Sequence, residues 1–338
     1  MKLAVITSSP PGIEGGHLVI ARAIVSTARE LGHEARLVVT PDFGFGRTAR
    51  TYAANRLTKV DDVDRVISLR YPSYAVRHPS HVCWLTHTMR EYYDLWPKFS
   101  ATLSPLNTIK ERTRKVLIHA ADNYLLKHNV REVVALSGTV RDRLQRHFGI
   151  AADVLLPPPP PRPYRCAGYE PFIFAASRLV ALKRMDLIVR SLAEPAAGGI
   201  RLIVAGDGEE REALEALADR LGVHGRVTFA GHVGDDQLAD YLGRCRAVAF
   251  TPFNEDYGFL AAEAFASMKP VVTCRDSGGP TEIVDDNVSG FVVAPEPAAV
   301  ATALARLMDD PPLAERLGRR GYERVKPMTW TAAVHRLT

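Results

Sequence analysis

Ala247-Val248-Ala249-Phe250-Thr251-Pro252-Phe253-Asn254-Glu255-Asp256-Tyr257-Gly258-Phe259, running on through Glu263 to Pro270-Val271-Val272-Thr273 and Gly278-Gly279-Pro280, is the stretch that decides how this chain is read. The apolar run at 247–250 predicts a buried strand, the Pro- and Gly-containing segment a turn, and the residues around Glu263 a helix. A strand that passes through a turn into a helix leaves the first N–H groups of that helix without partners. Their partial positive charge favours an anion. The order of elements predicts a phosphate-binding site.

Glu255 falls in the turn and Glu263 about two turns into the helix, so the two carboxylates flank the anion position. At the helical rise their separation is on the order of 12 Å. That span suits a nucleotide sugar, with the sugar at one end, the diphosphate at the helix start and the ribose at the other.

Working outward, the second half alternates apolar runs with helix-length segments, with strands expected at 172–176, 202–205, 227–230, 247–250, 271–274 and 291–293. Such alternation implies right-handed crossovers and a parallel sheet. The first half opens the same way, with a strand at 2–7, a loop carrying Gly12, Gly15 and Gly16, a helix at 18–31 and a strand at 35–40. The spacing of these glycines is not G-x-G-x-x-G and no acidic residue ends the second strand, which argues against a dinucleotide-dependent dehydrogenase. The Gly15-Gly16 pair lets a bound group approach the backbone, or only relieves a tight turn. Further strands are expected at 66–69, 81–85 and 132–136. His87 follows the second of these, at a strand's carboxyl end, where open α/β sheets place ligands, although a histidine taken alone is more often a capping or surface residue.

The run Pro157 to Pro161, followed by Arg162-Pro163, holds neither a helix nor a central strand. It predicts a connector at 157–163 between a domain at 1–156 and one at 164–326, with a last helix in 327–338. The charge divides at the same place, since residues 1–163 carry 23 Lys and Arg against 14 Asp and Glu, and residues 164–338 carry 20 against 24. A basic first half suits an anionic acceptor, a membrane surface or nucleic acid, or is a solvated face with no partner. The basic helix expected at 109–128 is read as keeping its polar face in water, peripheral membrane contact being the alternative.

Apolar residues make up 46% and charged residues 24% of the 338, as in a water-soluble globular protein. No apolar run reaches the roughly 20 residues of a membrane span, and Met1 to Ile6 passes at once into a Gly/Pro loop rather than a signal-peptide core. A cytoplasmic protein is expected. Cys83, Cys166, Cys245 and Cys274 form no paired motif, so they read as reduced thiols. Asp62-Val63-Asp64 lies in a charge-rich stretch and reads as a solvated turn rather than a metal site.

Glu255-x7-Glu263, Lys269-Pro270-Val271-Val272 and Gly278-Gly279-Pro280 together resemble the signature of the retaining glycosyltransferases of family 4, which have the GT-B fold. The resemblance runs over nearly the whole chain and is strongest from Phe172 to Gly290. It implies two Rossmann-like domains facing each other across a cleft, with the final helix, around Trp330 to Leu337, crossing back to the N-terminal domain. It also implies transfer of a hexose from a nucleoside-diphosphate sugar to a glycan or lipid-linked acceptor, without metal or other cofactor. On the matching positions it places Arg178 and Lys183 on the donor diphosphate, Glu255 on hydroxyls of the donor sugar and Glu263 on those of the ribose. The N–H groups of Gly258, Phe259 and Leu260 would meet phosphate or sugar oxygens, and His87 would face the donor sugar. Catalysis would then rest on Arg178, Lys183 and the helix dipole stabilising charge on the leaving β-phosphate, with Glu255 and His87 at the sugar. Met268 departs from the pattern, standing where the family commonly has Gly, and Tyr257 stands where Phe is more usual. A sugar phosphorylase in the same cleft and a non-catalytic scaffold that kept the fold are the rival readings.

Overall fold

The structure, a computed structural model, describes residues 1–10 and 15–338; Gly12 of the first loop lies outside the described residues. The chain divides into two compact units, one made of 1–157 and 329–338, the other of 158–328.

The first unit holds a six-stranded parallel sheet of β1 (Lys2–Ser9), β2 (Glu34–Pro41), β3 (Arg65–Ser68), β4 (His81–Leu85), β5 (Glu132–Ala135) and β6 (Asp153–Val154), in the order β2-β1-β3-β4-β5-β6. The helices are α1 (Gly16–Glu30), α2 (Thr48–Arg56), α3 (Trp96–Ala101), α4 (Pro105–His128), α5 (Gly138–Phe148) and the terminal Trp330–Leu337. β1 and β4 are buried along nearly their whole length, which is why they read as unbroken apolar runs. The terminal helix packs on α1. Trp330 meets the fully buried Trp84 edge to face at 6.3 Å, and Arg336 donates to Glu132 at 2.6 Å and Asp153 at 2.9 Å.

Inside this unit Asp122 of α4 is fully buried and accepts from three tyrosine hydroxyls, those of Tyr52 on α2, Tyr74, and Tyr93 at 2.7 Å. A buried carboxylate persists only when its lone pairs are satisfied. This one joins α2 and α4 to the segments between them. Burial outweighs the three donors and pushes its pKa up to about 6.

The second unit repeats the plan with β7 (Ile173–Ala176), β8 (Leu202–Ala205), β9 (Val227–Gly231), β10 (Ala247–Ala249), β11 (Val271–Cys274) and β12 (Gly290–Val293), all parallel, in the order β12-β11-β10-β7-β8-β9. Its helices are α6 (Met185–Ser191), α7 (Arg211–Arg220), α8 (Asp235–Arg244), α9 (Phe259–Ala266), α10 (Pro280–Ile283), α11 (Pro297–Asp309) and α12 (Pro311–Val325). One core joins Ile173, Val204, Ala249 and Val272 of the sheet to Ile188, Leu217, Leu304 and Leu317 of the helices. The strand order reverses between β7 and β10. At such a point the connections after neighbouring strands leave toward opposite faces and open a crevice at their carboxyl ends.

Residues 158–163 of the connector expected at 157–163 group with the second unit, where Arg162 is tied to Asp235 and Glu263. Helix α4 keeps Lys110, Arg112 and Lys127 exposed, as expected, but Leu106, Ile109, Val116, Leu117 and Tyr124 are exposed on it as well.

The raised pKa of Asp122 fixes a direction for stability against pH. Its folded-state value lies above its ordinary one near 3.8, so its contribution is fully present below about pH 4 and is lost as pH rises through about 6. Thermal unfolding followed from pH 4 to 7 should show the first unit losing on the order of 3 kcal/mol from this group. Asp122→Asn should flatten that dependence, and an unchanged slope would contradict the assignment.

Candidate functional site

At the switch point of the second sheet, the loop after β7 is held against the loop after β8. Leu179 N–H donates to the Asp207 carbonyl at 2.8 Å and Glu210 N–H to the Leu179 carbonyl at 3.0 Å. Asp207 does not cap α7, as its position before that helix suggests; its carboxylate accepts from the N–H of Gly208 at 2.8 Å, and Glu210 stands at the cap. Arg178 is exposed, with no side-chain hydrogen bond or ion pair among the described residues. Residues 181–183 then form one tight helical turn ending at Lys183.

Arg184, next in line, lies in the left-handed region at φ 48°. Its guanidinium forks onto Asp276 at 2.8 and 2.7 Å and donates to the carbonyls of Thr251 and Pro252, both at 2.7 Å. One side chain thus joins the loops after β7, β10 and β11. Backbone bonds complete the seam, from Phe253 N–H to the Leu182 carbonyl, Asn254 to Asp276 and Glu255 to Ser277, each 2.8 Å. The return bond, from Gly279 N–H to the Glu255 carbonyl, is also 2.8 Å. Gly278, at φ 73°, lies so close that a Cβ there would stand 2.5 Å from the Glu255 carbonyl oxygen.

The seam sets Lys183 Nζ 2.5 Å from Glu255 Oε2, with the two side chains 15% and 19% exposed. A partly buried, charge-assisted pair at this distance is strong and holds both side chains at the mouth of the crevice. Two residues beyond Asp256, Gly258 opens α9 at φ 82° without any side-chain cap. A Cβ there would come within 2.4 Å of the Phe250 ring. The first N–H groups of α9 therefore present their partial charge beside Glu255, a few residues away along the chain.

Glu263, one turn further into α9, is 5% exposed. Its Oε1 accepts from the Arg162 guanidinium and from the Tyr164 hydroxyl, the latter at 3.2 Å; no donor reaches its Oε2 among the described residues. Burial pushes the carboxyl pKa up, and the Arg162 charge and Tyr164 hydrogen bond pull against that. Arg162, Tyr164 and Arg184 are the residues that sequence reasoning missed. The only signal for Arg184 was its adjacency to Lys183, and Arg162 stood inside a proline run, 101 positions from its partner.

Lys269 and Met268 close α9. Lys269 is completely buried, with its ammonium on the Gly168 carbonyl and over the Tyr169 ring at 3.7 Å. Burial lowers its pKa. The Lys-Pro-Val motif therefore anchors the start of this unit and contributes no ligand. Met268 sits at φ 57°, in the left-handed region that glycine adopts freely, which accounts for a commoner glycine there and costs this chain on the order of 1 kcal/mol.

His87, Gly15 and Gly16 stand on the first unit. The His87 ring is half-buried after β4, and its Nδ1 donates to the Thr88 carbonyl at 2.8 Å. Gly15 precedes α1 in an extended conformation, at φ −150°, and Gly16 is the first residue of α1. Asp62 pairs with Arg36 at 2.6 Å on the surface and Asp64 accepts from the Lys2 N–H at 2.7 Å. No group of three or more His, Cys, Asp or Glu among the described residues is arranged to hold a metal ion.

The family model described as Glycosyl transferases group 1 matches residues 163–324, within the second unit. The chain is 31% identical over 173 residues to a D-inositol 3-phosphate glycosyltransferase of Streptomyces avermitilis, a match covering 47% of this chain and 36% of that relative. It is 32% identical over 149 residues to the human alpha-1,3/1,6-mannosyltransferase ALG2, covering 40% and 36%. The match thus spans little more than a third of the length of these curated relatives. Among solved structures the chain resembles a sucrose-phosphate synthase of Thermosynechococcus elongatus at 17% identity and TM-score 0.77, over 98% of this chain and 96% of that one. It also resembles WaaG, a glycosyltransferase involved in lipopolysaccharide biosynthesis, at 17% identity and TM-score 0.71, over 99% and 98%. A third likeness is to Anabaena HepE in complex with UDP and glucose, at 16% identity and TM-score 0.69, over 98% and 97%. The fold is that of the GT-B glycosyltransferases.

The Arg162–Glu263 pair supplies a stability prediction. Glu263 is buried, so Arg162→Gln should leave an uncompensated carboxylate and destabilise the second unit by roughly 3 kcal/mol in chemical denaturation. Adding Glu263→Gln should recover most of the loss. Additive effects would mean that the two side chains do not pair.

Proposed function

We propose that the chain is a metal-independent, retaining glycosyltransferase that moves a hexose from a nucleoside-diphosphate sugar to a glycan or lipid-linked acceptor, the second unit holding the donor and the first the acceptor. One observation carries this reading: a lysine–glutamate pair, Lys183 with Glu255, stands at the strand-order reversal beside the uncapped start of α9, within the segment matched by the glycosyltransferase family model. The named relatives that transfer sugars, and the neighbour solved with UDP and glucose, support the same donor class.

The chemistry follows from the placement of charges. When the sugar leaves a nucleoside diphosphate, the developing negative charge collects on the β-phosphate. Lys183 and the first N–H groups of α9 stabilise that charge as it grows, and Arg178, which has no side-chain partner among the described residues to give up, adds its fork. Glu255 keeps Lys183 in place before the donor arrives and accepts from sugar hydroxyls afterwards. The Oε2 of Glu263 accepts from the ribose while Oε1 stays with Arg162 and Tyr164. For His87, Gly15 and Gly16 we propose contacts with the transferred sugar. In a retaining reaction of this class the acceptor hydroxyl attacks the anomeric carbon from the side the phosphate leaves. Its proton passes to a β-phosphate oxygen, so no protein nucleophile is required.

Isothermal titration with UDP, GDP, ADP and TDP in the presence of EDTA tests the reading. One diphosphate, UDP being the first to try, should bind without metal, and Lys183→Ala should weaken it at least tenfold. Glu255→Ala should abolish transfer from the matching sugar donor while leaving diphosphate binding within a few-fold. Absence of binding by all four, or a need for a divalent metal, would overturn the donor site.

A further inference from the structure

Helix α4 carries two apolar stripes, and only one of them is covered. Ile118, Leu125 and Leu126 point inward with Asp122. On the other side Leu106, Ile109, Val116, Leu117 and Tyr124 fall within a stripe about 100° wide at helical spacing. These five are between 58% and 81% exposed. An exposed stripe of this length marks an interaction surface.

Its electrostatics are one-sided. α4 contains Lys110, Arg112, Arg114, Lys115 and Lys127, and its only two carboxylates, Glu111 and Asp122, are buried and hydrogen-bonded within the protein. Beside the stripe a groove of about 1110 Å³ opens between α2 and α4, walled by Tyr52, Ala53, Ile118, Ala121 and Leu125. Its rim bears Arg47, Arg50, Arg56, Lys110 and Arg114. α2 has no acidic residue at all, and neither Arg47, Arg50 nor Lys110 has a carboxylate partner among the described residues.

We infer that α4 and the adjoining groove dock the protein on an anionic phospholipid leaflet, with the apolar stripe entering the acyl boundary and the rim cations on the lipid phosphates. An amphipathic helix with aliphatic residues on one side and Lys and Arg flanking them is built to lie in that plane. Leu117 and Tyr124 of the stripe also line the groove, while Leu106, Ile109 and Val116 lie outside it, so one lipid bound in the groove would leave those three in water, whereas a leaflet covers both. The inference uses the first unit alone and is independent of the donor-site reading.

Co-sedimentation with vesicles of phosphatidylcholine, with and without phosphatidylglycerol, tests it directly. The protein should pellet with the anionic vesicles only, and added salt should release it. Arg47→Gln with Arg50→Gln should weaken partitioning about thirtyfold. Ile109→Asp with Leu117→Asp should abolish it; both sites are exposed, so thermal unfolding and diphosphate titration should stay unchanged. In Leu117→Trp, the emission of the new tryptophan should shift to the blue on adding anionic vesicles. No pelleting, equal pelleting of the double aspartate variant, or an unshifted emission would overturn the inference. So would a dimer in vesicle-free solution that the double aspartate variant dissociates, since the stripe would then be covered by a second copy.

Discussion

A parallel sheet built from right-handed crossovers has one position where strand order reverses, and in the second unit that position lies between β7 and β10. The connections after these strands must start side by side and then part. The backbone groups exposed in the gap need partners, which Arg184 supplies by joining three loops through one planar fork. Lysine could not replace it, because an ammonium cannot reach a carboxylate and two carbonyls in fixed directions at once. The left-handed backbone at Arg184 costs energy, but it turns the side chain toward Asp276 while Lys183, one residue earlier, faces the crevice. The candidate donor residues are thus positioned by a neighbour that need touch no ligand.

The same logic explains why the charged residues of the crevice come in pairs. An isolated ammonium or carboxylate, held at less than a fifth of its exposure, would lose most of its hydration with nothing to replace it. Lys183 with Glu255, and Glu263 with Arg162, avoid that loss. The two pairs differ in depth. Lys183 and Glu255 retain some access to water and can exchange one partner for another at modest cost. Glu263 is almost wholly enclosed and keeps one oxygen without a donor among the described residues, which suits it to one added hydrogen bond rather than to release.

Much of this was legible in the sequence because parallel strands covered on both faces are written as short apolar runs. Those at 202–205 and 271–274 coincide with β8 and β11, and the helix expected around Glu263 is α9. β6 went unread because it is two residues long and stands close before a proline run. Glu255 could be named from motif spacing and Lys183 from the family resemblance, but their direct pairing could not, since it depends on the order of strands in the sheet. Arg162 was hidden for a different reason. A proline-flanked arginine reads as an exposed connector residue, and only the fold reveals a buried carboxylate waiting 101 positions away.

Helix α4 shows where periodicity stops being informative. A basic amphipathic sequence specifies that an apolar stripe exists, and the natural assumption turns that stripe inward. In α4 the inward side is fixed instead by Asp122 and the tyrosines that satisfy it, because a carboxylate with three hydroxyl donors cannot rotate to the surface without leaving those hydroxyls unpaired. That constraint sets the rotation of the helix about its axis. Leu106, Ile109, Val116, Leu117 and Tyr124 consequently face outward, and their exposure costs free energy that folding alone does not recover. The charge of the first half acquires a location by the same step, since the rotation that exposes the apolar stripe also turns Lys110 and Arg112 outward beside it.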